Sequence, residues 1–326
     1  MVFTKKRLIA IMLVLTVVFF IPLLYLPEGI IDHRDDNMIT FIPKIAFLAI
    51  TASLVTVFAL ILIFKKDYLK AQVVSFNRYK YYLGLLIKRD FVARYRKSIL
   101  GVLWSLLNPL LTMLVMTLVF SYFFRFEIEH FPVYLLSGMI IYSFFNESTT
   151  LAMHSIIASE GIIKKIYVPK YIFPLSRVVS SLVNLFFMLI AFILVFLFSS
   201  APFHWTIFLI PIPIFYTFVF SLGVSMLVSS LAVIFRDITY LYGVLTLLLM
   251  YLTPIFWPVS MLSPQMAPII GLNPLFQFVM YFRELALWGT IPDLWTNLVC
   301  IGYALLAFCG GTAIFMTQQD RYILSL

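Results

Sequence analysis

Apolar and polar positions along this chain come in long blocks. Runs of about 20 apolar residues, the length of a helix that crosses a bilayer, lie near 8–26, 42–64, 99–124, 132–152, 178–199, 207–233, 238–257 and 294–316. They predict eight crossing helices. Between the second and third runs, residues 76–97 (FNRYKYYLGLLIKRDFVARYRK) are too charged to cross. There Phe76, Tyr79, Leu83, Leu86, Ile87, Phe91 and Tyr95 recur at three- and four-residue steps, and Arg78, Lys80, Lys88, Arg89, Arg94, Arg96 and Lys97 fill much of the rest. This is the pattern of a helix lying in the plane of a membrane surface. Its basic face suits anionic headgroups or an acidic surface on a partner. One further block is irregular. Residues 251–293 carry Pro254, Pro258, Pro264, Pro268, Pro274 and Gly271 among moderately apolar residues. That is too broken for a straight crossing and too apolar for a free loop. Short re-entrant helices, covered by protein, account for both features; a Pro-rich external loop is the alternative.

Composition fixes the solvent. The 326 residues are 63% hydrophobic and 11% charged, against about a quarter charged in soluble domains. A water-soluble fold could not hide that much apolar surface, so the expectation is an all-α polytopic membrane protein. The formal net charge of +9 does not point to nucleic acid, because the basic residues cluster beside apolar runs. Lys5, Lys6 and Arg7 precede the first run, and ten Lys and Arg residues from Lys65 to Lys97 separate the second from the third. Lys164, Lys165 and Lys170 follow the fourth, Arg236 the sixth and Arg321 the eighth. The alternate loops carry few cations (Arg34, Lys44, Arg125, Arg283) and several acids, Glu28, Asp32, Asp35, Asp36, Glu127, Glu129 and Asp293 among them. The asymmetry places both termini in the cytoplasm. Lys5-Lys6-Arg7 and the following run also resemble a signal peptide. The run is long for one, and Pro27-Glu28-Gly29 is a poor cleavage site, so a retained helix is expected. The chain then divides into an N-terminal hairpin (1–70), a surface helix (71–98) and a six-helix membrane unit (99–326).

Candidate chemistry is sparse. The sequence has no G-x-x-x-x-G-K-[ST] phosphate loop, no G-x-G-x-x-G, no H-E-x-x-H and no G-x-S-x-G. Its four histidines lack ligand spacing, and Cys300 and Cys309 read as small packing residues. No catalytic residue and no metal or cofactor on this chain is expected. A membrane-embedded glycosyl- or acyltransferase would need converging acids or histidines, and none is apparent. Intramembrane charge is limited to Glu147 in the fourth run and Arg177 at the edge of the fifth; a structural pair between neighbouring antiparallel helices is expected of them.

Three segments together resemble a known family. They are Arg89-Asp90 through Arg94-Tyr95-Arg96, continuing to Ser98, Leu100-Gly101, Trp104 and Asn108-Pro109-Leu110; the loop IIKKIYVPKYIFPLS at 162–176; and FRD at 235–237 with TPIFWP at 253–258, NPL at 273–275 and Arg283 beyond. In order and spacing the chain resembles the membrane subunit of an ABC-2 type (type V exporter-like) transporter, specifically the polysaccharide branch that moves O-antigen and teichoic acid. An ABC-2 drug or lipid exporter is the alternative within transport.

The resemblance implies a homodimer of this chain with two copies of a separate ABC ATPase, which binds ATP and Mg. It implies a lipid-linked glycan moved outward across a bacterial or archaeal cytoplasmic membrane. Lys164, Lys165, Ile166, Tyr167 and Pro169 become candidates for contact with the ATPase, with Ile162, Ile163 and Val168 adding apolar surface, beside Lys88, Arg89, Asp90, Arg94, Tyr95 and Arg96 of the surface helix. Pro254, Pro258, Asn273 and Pro274 become candidates for an outer gate. Phe120, Tyr122, Phe123, Tyr251, Phe256 and Trp257 become candidate lining of the glycan path, since sugar rings stack on aromatic faces. Six crossings are usual in the family, so the hairpin 8–64 is extra.

Overall fold

The computed structural model describes residues 66–95, 100–125, 128–166, 168–263, 265–266, 270–319 and 322, with the side chains of 66–73, 75, 95 and 122 left aside. The expected crossings near 8–26 and 42–64 lie outside the described residues, as do Arg96, Lys97 and Tyr167. The described residues form eight principal helices: α1 (Lys66–Tyr95), α2 (Trp104–Leu118), α3 (Phe131–Met153), α4 (Ile172–Phe198), α5 (Pro211–Ile234), α6 (Ile238–Leu252), α7 (Pro274–Arg283) and α8 (Leu294–Gln318). The amphipathic helix starts ten residues before the expected Phe76 and runs unbroken across residue 70, where the hairpin was expected to end.

Helix ends follow local chemistry. Gly101, whose left-handed backbone (φ 49°) carries no penalty without a Cβ, opens the turn that leads into α2. Pro132 and Pro211 occupy first turns, where the missing N–H is not needed. Asn273 caps α7 by accepting from the Leu275 amide at 3.0 Å, with Pro274 behind it, and Asp293 caps α8 by accepting from the Thr296 amide at 2.9 Å. α6 stops at Leu252, five residues short of the expected 257. Pro254 disfavours helical backbone at the residue before it, and Thr253 is extended. Phe256 and Trp257 therefore lie in an irregular stretch rather than on a crossing helix.

Among the described residues, four segments are long and apolar enough to cross a membrane: Gly101–Ser121, Ile172–Phe198, Trp205–Ile234 and Leu294–Gln318. The other two expected core crossings fall on α3 and α6. α3 has the length, with 23 residues, but Ser137, Asn146, Glu147, Ser148, Thr149 and Thr150 dilute its apolar character. α6 has only 15 residues, about 22 Å. α3 nevertheless lies at the centre, packed by α2, α4, α5, α6 and α7, and most of its residues are buried. Its polar side chains face protein: Ser137, Ser148 and Thr149 donate to backbone carbonyls one turn back.

The tightest packing joins α5 to α8. A Cβ on Gly223 would collide with the backbone of Ala307 and Phe308, and one on Gly311 would collide with the Gly223 carbonyl. Small residues allow this approach, and dispersion across it substitutes for a hydrophobic driving force that lipid does not supply. Gly223→Ala should lower stability by about 1–3 kcal/mol through overpacking. Gly243→Ala, on a face of α6 with open space, should change it by less than about 1 kcal/mol. Thermal unfolding in nanodiscs compares the two.

Candidate functional site

Six of the helices end or begin at one pole with α1 across them, and this pole gathers most of the described cations. Asp90 and Arg94 lie one turn apart on the inward stripe of α1. Asp90 Oδ2 is 2.8 Å from Arg177 Nη1 on α4 and 3.5 Å from Ser180 Oγ, while its Oδ1 meets Arg89. Arg94 Nη2 is 2.6 Å from Glu147 Oε1 on α3, and Glu147 Oε2 accepts from Asn184 Nδ2 of α4 at 2.6 Å. The expected Glu147–Arg177 pair is therefore replaced by two crossed pairs, each with a partner from α1. α3 and α4 do pack together, but α1 lies against α4 and offers each charge an oppositely charged group. Asp90 thus leaves the solvent-facing set to which its sequence neighbours Lys88 and Arg89 belong, while Arg94 keeps an exposed edge as it reaches Glu147. The side chain of Tyr95 is not described.

Beside this ladder the connection from α3 to α4 folds back into the protein. It holds a 3-10 turn (Ile157–Ser159) and one α-turn (Glu160–Ile163). Ile156, Ile163 and Val168 are buried with Leu86 of α1, Ile172 and Phe173 of α4, Met226 and Val233 of α5, and Phe315 and Tyr322 from α8 and beyond. Lys170 donates to the Gln319 carbonyl and lies 5.8 Å from the Tyr322 ring centre. Ile163 and Val168, expected to face a partner, face inward instead. Lys164, Lys165 and Ile166 remain outside as a short tip, with Ile166 52% exposed and Lys164 held by Glu160 at 2.5 Å. Pro169 is half-buried behind them.

The opposite pole is organised by Arg283. Expected among the external-loop cations, it is instead wholly buried. Its guanidinium lies 3.4 Å from the centre of the Tyr134 ring and donates to Ser137 Oγ (3.2 Å), the Tyr134 carbonyl (3.1 Å) and the Ile255 carbonyl (3.4 Å). Gly138 leaves the space: a Cβ there would come within 3.1 Å of Nη2. The Tyr134 hydroxyl donates to the Trp257 carbonyl at 2.9 Å, with the Pro254 carbonyl at 3.4 Å. Asn273 Nδ2 donates to Thr253 Oγ1 at 2.9 Å. The structure thus brings Pro254, Asn273 and Pro274 to one knot, and adds Tyr134, Ser137 and Gly138. Only the lone arginine in an apolar stretch could have signalled that knot in the sequence.

The aromatic candidates divide. Phe120 stacks on Phe256 (centroids 5.5 Å, planes 10° apart) and on Phe124 (5.1 Å). Trp257 Nε1 donates to the Tyr251 carbonyl at 3.2 Å. Phe123 and Tyr251 are largely exposed, while the Tyr122 side chain is not described. Exposed apolar residues continue along α2 (Leu111, Leu114, Val115, Leu118) and α6 (Leu241, Val244, Leu248).

Comparison with known proteins assigns this arrangement a context. Residues 81–287 match the family described as ABC-2 type transporter. The chain is 33% identical over 255 residues to an O-antigen export system permease protein RfbA of Klebsiella pneumoniae, covering 74% of this chain and 96% of the relative. It is 27% identical to the protein of that name in Myxococcus xanthus (75% and 96% covered). It is 23% identical to the polysialic acid transport protein KpsM of Escherichia coli (77% and 98% covered).

The crossed ladder has a direct test. In double-mutant cycles read by thermal stability, Arg94→Gln with Glu147→Gln and Asp90→Asn with Arg177→Gln should each show coupling of about 0.5–1 kcal/mol. Glu147→Gln with Arg177→Gln should show less than either.

Proposed function

This chain belongs to the ABC-2 type transporter family, and on that premise we propose that it is the permease subunit of an ATP-driven exporter of a cell-surface polysaccharide. Relatives named for O-antigen export and polysialic acid transport, matched over nearly their whole length, support the cargo class. A drug or lipid exporter would share the family but not those relatives. The reading gives the chain no covalent chemistry. It binds and conducts a lipid-linked glycan, of O-antigen, teichoic-acid or related type, outward across a cytoplasmic membrane with both termini inside. ATP and Mg belong to a separate ATPase present in two copies, on a homodimer of this chain.

The observation that carries the mechanism is the exposed Lys164–Ile166 tip on a buried base. The ATPase pushes on that tip together with the basic face of α1. Ile156, Ile163, Val168 and Tyr322 connect the tip to α1, α4, α5 and α8, so the displacement reaches the helices instead of dissipating in a loop. The crossed ion pairs make α1 move with α3 and α4.

Crossing number follows the same reading. α3 crosses despite its polar residues because neighbours enclose it, and α6 crosses as a short helix completed by the following stretch. Tyr303 donates to the Leu272 carbonyl at 2.9 Å, and Tyr303 lies about 14 Å along α8 from its start. The chain between α6 and α7 thus returns to membrane depth before α7 climbs outward, which supports a re-entrant outer gate at Pro254, Pro258, Asn273 and Pro274. The glycan passes along the exposed faces of α2 and α6, with Phe120, Phe123, Tyr251, Phe256 and Trp257 as stacking surfaces. The hairpin 8–64 is an addition to this core.

Co-purification with an ABC ATPase and ATP-dependent appearance of polymer outside proteoliposomes tests the reading. Lys164→Ala with Ile166→Ala should leave the permease folded yet reduce ATPase binding by about tenfold and abolish export. Export without nucleotide, or unchanged coupling in this variant, would overturn it.

A further inference from the structure

At the pole opposite α1 the four connections α2–α3, α4–α5, α6–α7 and α7–α8 converge around a half-open cavity of about 330 Å³. Its wall includes Glu129, His130, Tyr134, Pro258, Ser260 and Trp288. The volume falls at the lower end of small-molecule sites, roughly 300–1,000 Å³. Among the described residues, no Lys or Arg lines it.

The wall is held in shape from beneath. Tyr134 is 5% exposed, its ring lies on the wholly buried Arg283, and its hydroxyl is tied to the Trp257 carbonyl. The ring therefore cannot turn away without leaving a buried guanidinium uncovered. His130 has left-handed backbone (φ 51°), and its Nδ1 is 3.0 Å from the Ser199 carbonyl, which fastens the α2–α3 connection to the end of α4. Non-glycine residues adopt that conformation at a cost, and such strain concentrates at binding sites. Glu129 Oε1 is 3.6 Å from His130 Nε2, and the Glu129 side chain is 90% exposed, free to reach a ligand hydroxyl. Trp288 is half-exposed at the rim.

We propose that this cavity binds one neutral pyranose unit of the emerging glycan. The proposal rests on the polysaccharide-export reading above. A sugar ring offers an apolar C–H face and a rim of hydroxyls. Trp288 and Pro258 supply flat apolar surface for the face, with Tyr134 closing the wall behind them, and Glu129, Ser260 and His130 supply polar groups for the rim. The carboxylate, with no Lys or Arg among the described lining residues, disfavours phosphate or an acidic sugar. The pre-formed wall lowers the ordering cost of binding. A unit held here on exit would resist backward slippage while the next stroke is prepared. Arg283 acts as a positioning residue, through Tyr134.

The test uses the whole protein in nanodiscs with its ATPase and a panel of methyl glycosides of glucose, galactose, mannose and rhamnose. Saturation-transfer NMR should detect at least one glycoside. Trp288→Ala should weaken that signal by about tenfold, and Phe208→Ala, an exposed aromatic on the same pole outside the cavity, should leave it unchanged. Trp288→Ala should also slow export of the polymer several-fold while ATPase assembly stays intact. No glycoside signal, a signal indifferent to Trp288→Ala, or displacement of the signal by lipid acyl chains alone would overturn the site. Wild-type protein that binds a glycoside yet exports no polysaccharide would instead overturn the cargo reading and leave the site standing.

Discussion

Two ion pairs, Arg94–Glu147 and Asp90–Arg177, fasten the surface helix to the membrane bundle, and the architecture of that pole depends on them. A lone charge against apolar helices is costly. Here each of four charges is met by another helix, so each is tolerable only while α1, α3 and α4 keep their mutual positions. Sliding α1 by one turn would separate both pairs together. The apolar cluster around Ile156, Ile163, Val168 and Tyr322 adds a second, non-directional attachment. A tip of three exposed residues thereby acquires a base that spans four helices.

The same requirement is met differently at the opposite pole. Arg283 has no carboxylate beside it among its described contacts; an aromatic face, a serine hydroxyl and two carbonyls receive its donors. The irregular chain from Thr253 onward would carry unsatisfied backbone groups if it ran through lipid. Tyr134, Tyr303 and Gln277 each donate to a carbonyl in it, and Asn273 reaches Thr253. α3, α7 and α8 surround that non-helical backbone and supply those partners. The cavity lies directly over this knot, which is why its wall is fixed rather than a chance gap between loops.

The two poles frame the proposed transport cycle. One is basic, ladder-tied and bears an exposed tip; the other is knotted around a buried cation and lined with aromatic groups. Between them α5 and α8 lie in backbone contact at Gly223 and Gly311, a rigid stave beside the looser helices α2 and α6. Those two carry long exposed apolar faces, where lipid, glycan or a second copy of the chain can be accommodated without dismantling the core.

Much of this was legible along the chain. Apolar run length placed the helices α2, α4, α5 and α8 within a few residues, because crossing lipid demands a fixed length of satisfied backbone. The stripe through Tyr79, Leu83 and Leu86 identified an amphipathic helix, because a period of 3.6 is a local property. What the sequence could not contain was which surfaces meet. Glu147 and Arg177 were visible as the two intramembrane charges, but their partners, Arg94 and Asp90, came from a third helix that looked solvent-facing. Arg283 read as a loop cation until α3 and the 253–258 stretch closed over it. Ile163 and Val168 read as a partner surface until Tyr322 and Leu86 covered them. Composition and periodicity act on neighbours in the chain; charge pairing and burial act on neighbours in space, and only the folded bundle decides who those are.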